Sequence, residues 1–181
     1  MSEQGNILFI DPSARALGWA VMNGKERVSS GTWYPSKSKH AADRFDQLAG
    51  FVGIKLSYMD DAQIVRVVVE TSDKPLYKMK GIDAITYGRA IGVVEGAAYP
   101  IPVSRLPVSQ WKRNAKKGWT LIEVKAVLGY TPSTDNECDA LGMGIYWYRN
   151  ARLYLTQMQI EEKLSREDRD ARREAALSRL V

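Results

Sequence analysis

The stretch NILFIDPSARALGWAVM, residues 6–22, places an acidic side chain, Asp11, directly after four apolar residues and directly before a proline. The apolar run predicts a buried strand over 6–11. Pro12 and Ser13 turn the chain, and LGWAVM (17–22) predicts a second strand that returns beside the first. Asn23 and Gly24 supply a hairpin turn into a third strand at about 27–33, so the opening third reads as an antiparallel meander. The question this stretch poses is why a carboxylate should close a buried strand.

Working outward, Phe45, Leu48, Ala49, Val52 and Leu56 recur at helical spacing between about His40 and Met59, and IVRVVVE (64–70) is an apolar, β-branched strand. A second helix is expected at about 82–98. Its Gly88, Gly92 and Gly96 stand four residues apart, a spacing that predicts close approach to a sheet or to another helix. PIPVSRL (100–106) supplies a further strand. TLIE (120–123) has the form of a capping box, with Thr120 at the N-cap and Gly129 as the stop, which predicts a helix of about two turns. TDNE (134–137) is a second capping box, opening a helix through CDALGMGIYWYRNARLYL. Strands followed by helix, strand, helix, strand and helices indicate an α/β domain. Its mixed five-stranded sheet has three antiparallel strands and then strands parallel to the first. The expected organisation is a domain at 1–150 and a charged helical extension at 151–181.

Composition narrows the function classes. One cysteine and one histidine leave no intramolecular disulfide and argue against a structural zinc site. The polar start MSEQGN has no apolar leader core, and no segment reaches the roughly 20 apolar residues of a membrane span. The expectation is a soluble intracellular protein. A net charge of +5 favours a polyanionic partner. Residues 161–181 hold six basic and six acidic side chains, so all of the excess lies before residue 161.

Four carboxylates carry the chemistry. A right-handed crossover makes the strands at 6–11 and 64–70 parallel and adjacent, so Asp11 and Glu70 emerge at the same sheet edge, where open α/β sheets bind ligands. Asp135 and Asp139 lie four apart on the last core helix and share a face, whereas Glu137 turns back as a cap. If that helix packs beside the first strand, all four meet in one cleft, where their mutual repulsion calls for cations. Oxygen donors at this density suit two Mg²⁺ or Mn²⁺ ions and phosphodiester hydrolysis. Taken singly, each has a structural reading: a turn residue before Pro12, a strand-end charge, a helix N-terminal acid. Asp139 resists that reading, because it lies among small and apolar neighbours in CDALGMG.

These residues resemble the RuvC-like Holliday-junction resolvases of the RNase H fold. FIDPSARALGWAV resembles the family's first motif, with Ser13 where glycine is usual. VVVET resembles the second, TYGRAIGVVEGAA the helix that follows, and DNECDALGMG the final acidic motif. The compact DNECDAL form looks more like phage-type members than the bacterial housekeeping enzymes, which implies the cytoplasm of a bacterial or phage-infected host cell. The likeness spans about 6–148. It implies two divalent ions held by four carboxylates, hydrolytic nicking of a four-way DNA junction, and a homodimer. Asp11, Glu70 and Asp139 match by motif; the fourth ligand is Asp135, with Asn136 as the alternative. The resemblance also assigns DNA contacts to Lys112, Arg113, Lys116, Lys117 and Lys125, and to the segment after Glu70, with Lys74, Tyr77, Lys78 and Lys80. Tyr146, Trp147 and Tyr148 read as core or dimer packing.

Three other classes compete. One is a nuclease of the same fold that cuts flaps, other branched DNA or RNA–DNA hybrids. An actin-like nucleotide-binding domain also opens with strand, Asp, turn and strand, but it needs a second glycine-rich phosphate loop, and none follows residue 60. The third is a junction binder without catalysis, which the presence of all three matched carboxylates opposes.

Overall fold

The computed structural model describes residues 5–12, 15–37, 40–57, 63–72, 81–112 and 118–150. One compact unit, Glu3–Tyr148, carries the sheet and its helices; Met1–Ser2 and Arg149–Val181 form a second unit. The meander is β1 (Asn6–Asp11), β2 (Leu17–Asn23) and β3 (Glu26–Trp33). Then come α1 (Ala41–Ser57), β4 (Ile64–Thr71), α2 (Gly81–Ala98), β5 (Val103–Pro107), α3 (Val108–Lys112) and α4 (Trp119–Leu128). A last helix, α5, is described over 135–150. The sheet order is β3-β2-β1-β4-β5. β1 pairs antiparallel with β2 and parallel with β4, and β4 pairs parallel with β5, as expected from the sequence.

β1 is apolar over Ile7–Ile10 and β4 over Val67–Val69, because these stretches are covered on both faces. On one face Leu8, Ile10, Val67 and Val69 meet Phe45, Leu48 and Val52 of α1 and Ala90, Val94 and Ala98 of α2. Alternation along the strands sends Ile7, Phe9 and Asp11 of β1, and Val68 and Glu70 of β4, to the opposite face. That face is covered by α5, whose Tyr148 ring meets Phe9 edge-on and donates from its hydroxyl to the Met22 carbonyl at 2.9 Å. Trp147 is also buried. Gly144 allows this close approach, since a Cβ would meet the Met22 sulfur, which would have to shift, and lie 3.2 Å from the Phe9 ring.

Three local expectations are corrected. Gly88, Gly92 and Gly96 have nothing within 4 Å of where a Cβ would sit. The side of α2 that packs is Ala90, Val94 and Ala98, two residues along and therefore turned by about 200°. Thr120 does not cap α4. The helix starts at Trp119 from Gly118, which adopts a left-handed conformation (φ 90°), with no side-chain cap, and it runs 10 residues rather than two turns. Gly129 does end it, with φ 61° and its N–H donating to the Lys125 carbonyl at 3.0 Å. The strand expected from residue 100 begins at Val103, and α3 is a short helix that the basic composition of 110–119 concealed.

Candidate active site

The site grows from register. Ile10 pairs with Val69, so one step further Asp11 stands beside Glu70, on the face covered by α5. Glu70 is only 8% exposed, and its backbone carbonyl accepts the Tyr87 hydroxyl at 3.2 Å. The third carboxylate, Asp139, comes from the second turn of α5. Its position is set by two close approaches. At one, Gly18 of β2 lies so near α5 that a Cβ would overlap the Asn136 carbonyl; at the other, a Cβ at Gly142 would lie 2.9 Å from the Trp111 ring of α3. α3 follows β5 without a break and ends at Lys112, whose Nζ donates to Asp139 Oδ2 at 2.6 Å.

The electrostatics fit one shared cleft. Burial, the Asp139 charge and, in the opposite sense, Lys112 leave the Asp11 carboxyl raised to about 6. Burial together with Asp11 pushes Glu70 up to about 8, against the pull of Lys112. Asp139 is also raised, chiefly by burial, despite its bond to Lys112. The Lys112 ammonium resists its own burial and rises, through its bond to Asp139 and the charges of Glu70 and Asp11. The indole N–H of Trp111 favours ionised Glu70 without reaching hydrogen-bond geometry, and Glu70 Oε2 is buried with no hydrogen-bond partner among the described residues. Buried carboxylates normally find donors, so this deficit is informative. Among the described residues no group of three or more acidic, histidine or cysteine side chains is placed to hold a metal ion as the side chains stand, and the cation facing all three carboxylates is Lys112.

No protein-family model and no curated protein sequence matches the chain. Solved structures do. Thermus thermophilus RuvC in complex with Holliday junction substrate superposes with a TM-score of 0.69 at 23% identity, covering 82% of this chain and 96% of that one. A second Thermus thermophilus RuvC structure gives 0.68 at 22% identity, with the same coverage. The fold is that of RuvC. The yeast mitochondrial Holliday junction resolvase Ydc2 is similar at 0.54 and 10% identity, over 81% of this chain and 78% of that one.

Within this RuvC-like fold the remaining sequence candidates take different places. Asp135 is exposed one turn before Asp139, and its charge contributes to raising Asp139. Asn136 donates its side-chain amide to the Ala16 carbonyl at 2.8 Å, strapping the β1–β2 connection to α5. Glu137 is a cap, as expected, and also a junction of elements. Its backbone N–H donates to Thr134 Oγ1 at 3.1 Å. Its carboxylate accepts from Ser133 N (2.7 Å), Ser133 Oγ (2.8 Å), Tyr130 OH (2.9 Å) and, across the sheet edge, Ser30 Oγ (2.6 Å). The Thr32 and Thr134 hydroxyls also hydrogen-bond. Cys138 is buried and its thiol is pushed up to about 11, chiefly by burial, so it stays protonated. Lys125 is exposed on α4. Lys74, Tyr77, Lys78, Lys80, Arg113, Lys116 and Lys117 lie outside the described residues. The partners that sequence reading missed are Trp111, Gly18 and Gly142. The only sign of them was glycine placed inside apolar segments, a mark of close backbone approach.

Proposed function

We propose that this protein is a metal-dependent, structure-selective endonuclease that hydrolyses phosphodiesters in branched DNA, four-way junctions foremost. The observation that carries the proposal is the convergence of three carboxylates with raised pKa values, Asp11, Glu70 and Asp139, at one end of the central strands, with one buried Glu70 oxygen left without a donor among the described residues. The junction-bound Thermus RuvC structure, with the same fold, supports branched DNA as the substrate class.

The residues fit a divalent cation. A buried Glu70 oxygen without a donor, and carboxylates that raise one another's pKa, form a set of hard oxygen donors suited to Mg²⁺ or Mn²⁺. Asp11, Glu70, Asp139 and Asp135 would hold two such ions; Asn136, committed to Ala16, is the weaker candidate for the fourth place. Bound there, the ions supply the positive charge that lowers the pKa of an attacking water and stabilises the leaving oxygen.

The chain's own contribution is to hold that charge in register. β1 and β4 fix Asp11 and Glu70 as neighbours, and the packing of Gly18 and Gly142 fixes α5, hence Asp139, against them. Lys112 balances the carboxylates, and from the same position it would pair with a substrate phosphate. Lys125 and the basic residues Lys74, Lys78, Lys80, Arg113, Lys116 and Lys117 bind backbone phosphates, which makes affinity fall steeply with salt. Tyr77 contacts the branch, and a homodimer presents two sites for paired nicks.

The test compares labelled four-way, three-way and linear DNA with Mg²⁺. Preferential cutting of the four-way substrate, abolished by EDTA, is the expected result. Equal cutting of all three would remove the junction reading and leave a nuclease of broader specificity.

A further inference from the structure

The Glu70 backbone carbonyl lies where the sheet cannot satisfy it. Val67 donates its N–H to the Pro102 carbonyl, on the β5 side, at 3.0 Å. Backbone groups along a strand inside a parallel sheet turn alternately to its two neighbours, so those of Val68 and Glu70 turn toward β1. Ile10 pairs with Val69, and in that register the N–H due to the Glu70 carbonyl belongs to the residue after Asp11, which is Pro12. Proline has no N–H to give. The Asp-Pro step that turns the chain away after the first carboxylate thus removes a ladder bond from the residue that carries the second.

A helix supplies the donor instead. Tyr87 of α2 reaches the Glu70 carbonyl with its hydroxyl at 3.2 Å. Tyr87 stands three residues before Ala90, on the row that continues as Ala90, Val94 and Ala98 and packs on the sheet. α2 covers one face of the sheet, whereas the Glu70 side chain leaves by the other, so the phenol acts on the backbone from behind and stays out of the cleft. Glu70 Oε2 has no donor among the described residues, so the aim of this carboxylate depends on the strand end beneath it. We propose that Tyr87 is the positioning residue for Glu70: its hydroxyl replaces the ladder bond that Pro12 cannot give and fixes the strand end from which Glu70 meets a divalent cation. The inference rests on the cation-site reading above and names the group that holds one of its ligands in place.

The experiment is a double-mutant cycle read by calorimetric titration of Mn²⁺, without DNA, into the full chain, Tyr87→Phe, Pro12→Ala and the chain carrying both. Tyr87→Phe keeps the ring and removes only the hydroxyl; Pro12→Ala returns an N–H opposite the Glu70 carbonyl. Tyr87→Phe is expected to weaken Mn²⁺ binding about tenfold beside Pro12, the scale of losing a partner that orients a ligand. In the chain carrying Pro12→Ala the same substitution is expected to cost less than about twofold, because the restored N–H does the work of the phenol. Junction binding without divalent ion, measured by anisotropy, should change by less than about twofold in Tyr87→Phe. The inference is overturned if Tyr87→Phe weakens Mn²⁺ binding equally in both backgrounds, as a packing role would, or if junction binding without the ion falls as far as Mn²⁺ binding does. A parent chain that binds no Mn²⁺ would overturn the cation-site reading and the inference together. A parent that binds Mn²⁺, matched by Tyr87→Phe, overturns the inference alone.

Discussion

Glu137 and Asp139 lie two residues apart on the same helix and face opposite fates. Glu137 is 1% exposed, yet its pKa is lowered; its burial acts in the other direction but is outweighed by donors from Ser30, Ser133 and Tyr130. Asp139, less buried, is bonded to Lys112 and is nevertheless raised. Burial alone therefore does not distinguish a structural carboxylate from a functional one. What distinguishes them is whether the fold supplies enough donors to satisfy the charge. Glu137 is complete within the fold and ties α5 to β3, whereas Asp11, Glu70 and Asp139 meet at a shared edge where burial and neighbouring carboxylates raise all three.

The comparison breaks most sharply in activity. Asp139→Asn and Asp11→Asn are each expected to lower Mg²⁺-dependent junction cleavage by at least about 10²-fold while junction binding stays within about threefold, measured by gel cleavage and anisotropy. Glu137→Ala, by contrast, should strike stability. Removing a buried carboxylate with four donors leaves those donors unpaired, and we expect a loss of about 3 kcal/mol in urea unfolding. Gly18→Ala should cost a similar amount, about 3 kcal/mol, because its methyl would overlap the Asn136 backbone.

The two kinds of carboxylate also oppose each other in pH. Glu70 is held at about 8 in the fold against 4.5 when free, and Asp11 at about 6 against 3.8. The folded state thus binds more protons than the unfolded one between those values, so their contribution to stability falls as pH rises from about 4 to 8. Glu137, with its lowered pKa, contributes stability above about 4.5 that is lost as pH falls through its folded value. Metal-free melting curves should show Tm declining from pH 5 to 8, with Glu70→Gln flattening the decline; a Tm that rises over this window would contradict the assignment. The smallest expected effect is that of Lys112→Met, a loss of about tenfold in cleavage, since in the proposed mechanism the lysine serves as counter-charge and phosphate contact rather than as a ligand.

Much of this was legible in the chain itself. The apolar run ending in Asp11, the β-branched run ending in Glu70 and the TDNE box placed the strands, their edge and Glu137 as a cap, because each signal is local and periodic. The Asp139–Lys112 pair spans 27 residues and the Ser30–Glu137 bond 107, and local patterning carries no trace of such distances. Glycine misled in one place and informed in another. At 88, 92 and 96 it faces open space, while single glycines at 18, 142 and 144 mark the contacts that set α5 on the sheet. Thr120 had the letters of a cap, but it lies inside α4 with its methyl toward Gly142, and packing there overrode the local preference.

The most direct test of the unsatisfied cleft as a cation site is calorimetric titration of Mn²⁺ into the wild-type chain and into Asp139→Asn, without DNA. Binding to the wild type that weakens at least about tenfold in Asp139→Asn, and persists in a folded Glu137→Gln, is the predicted result. Equal Mn²⁺ affinity in wild type and Asp139→Asn would contradict it.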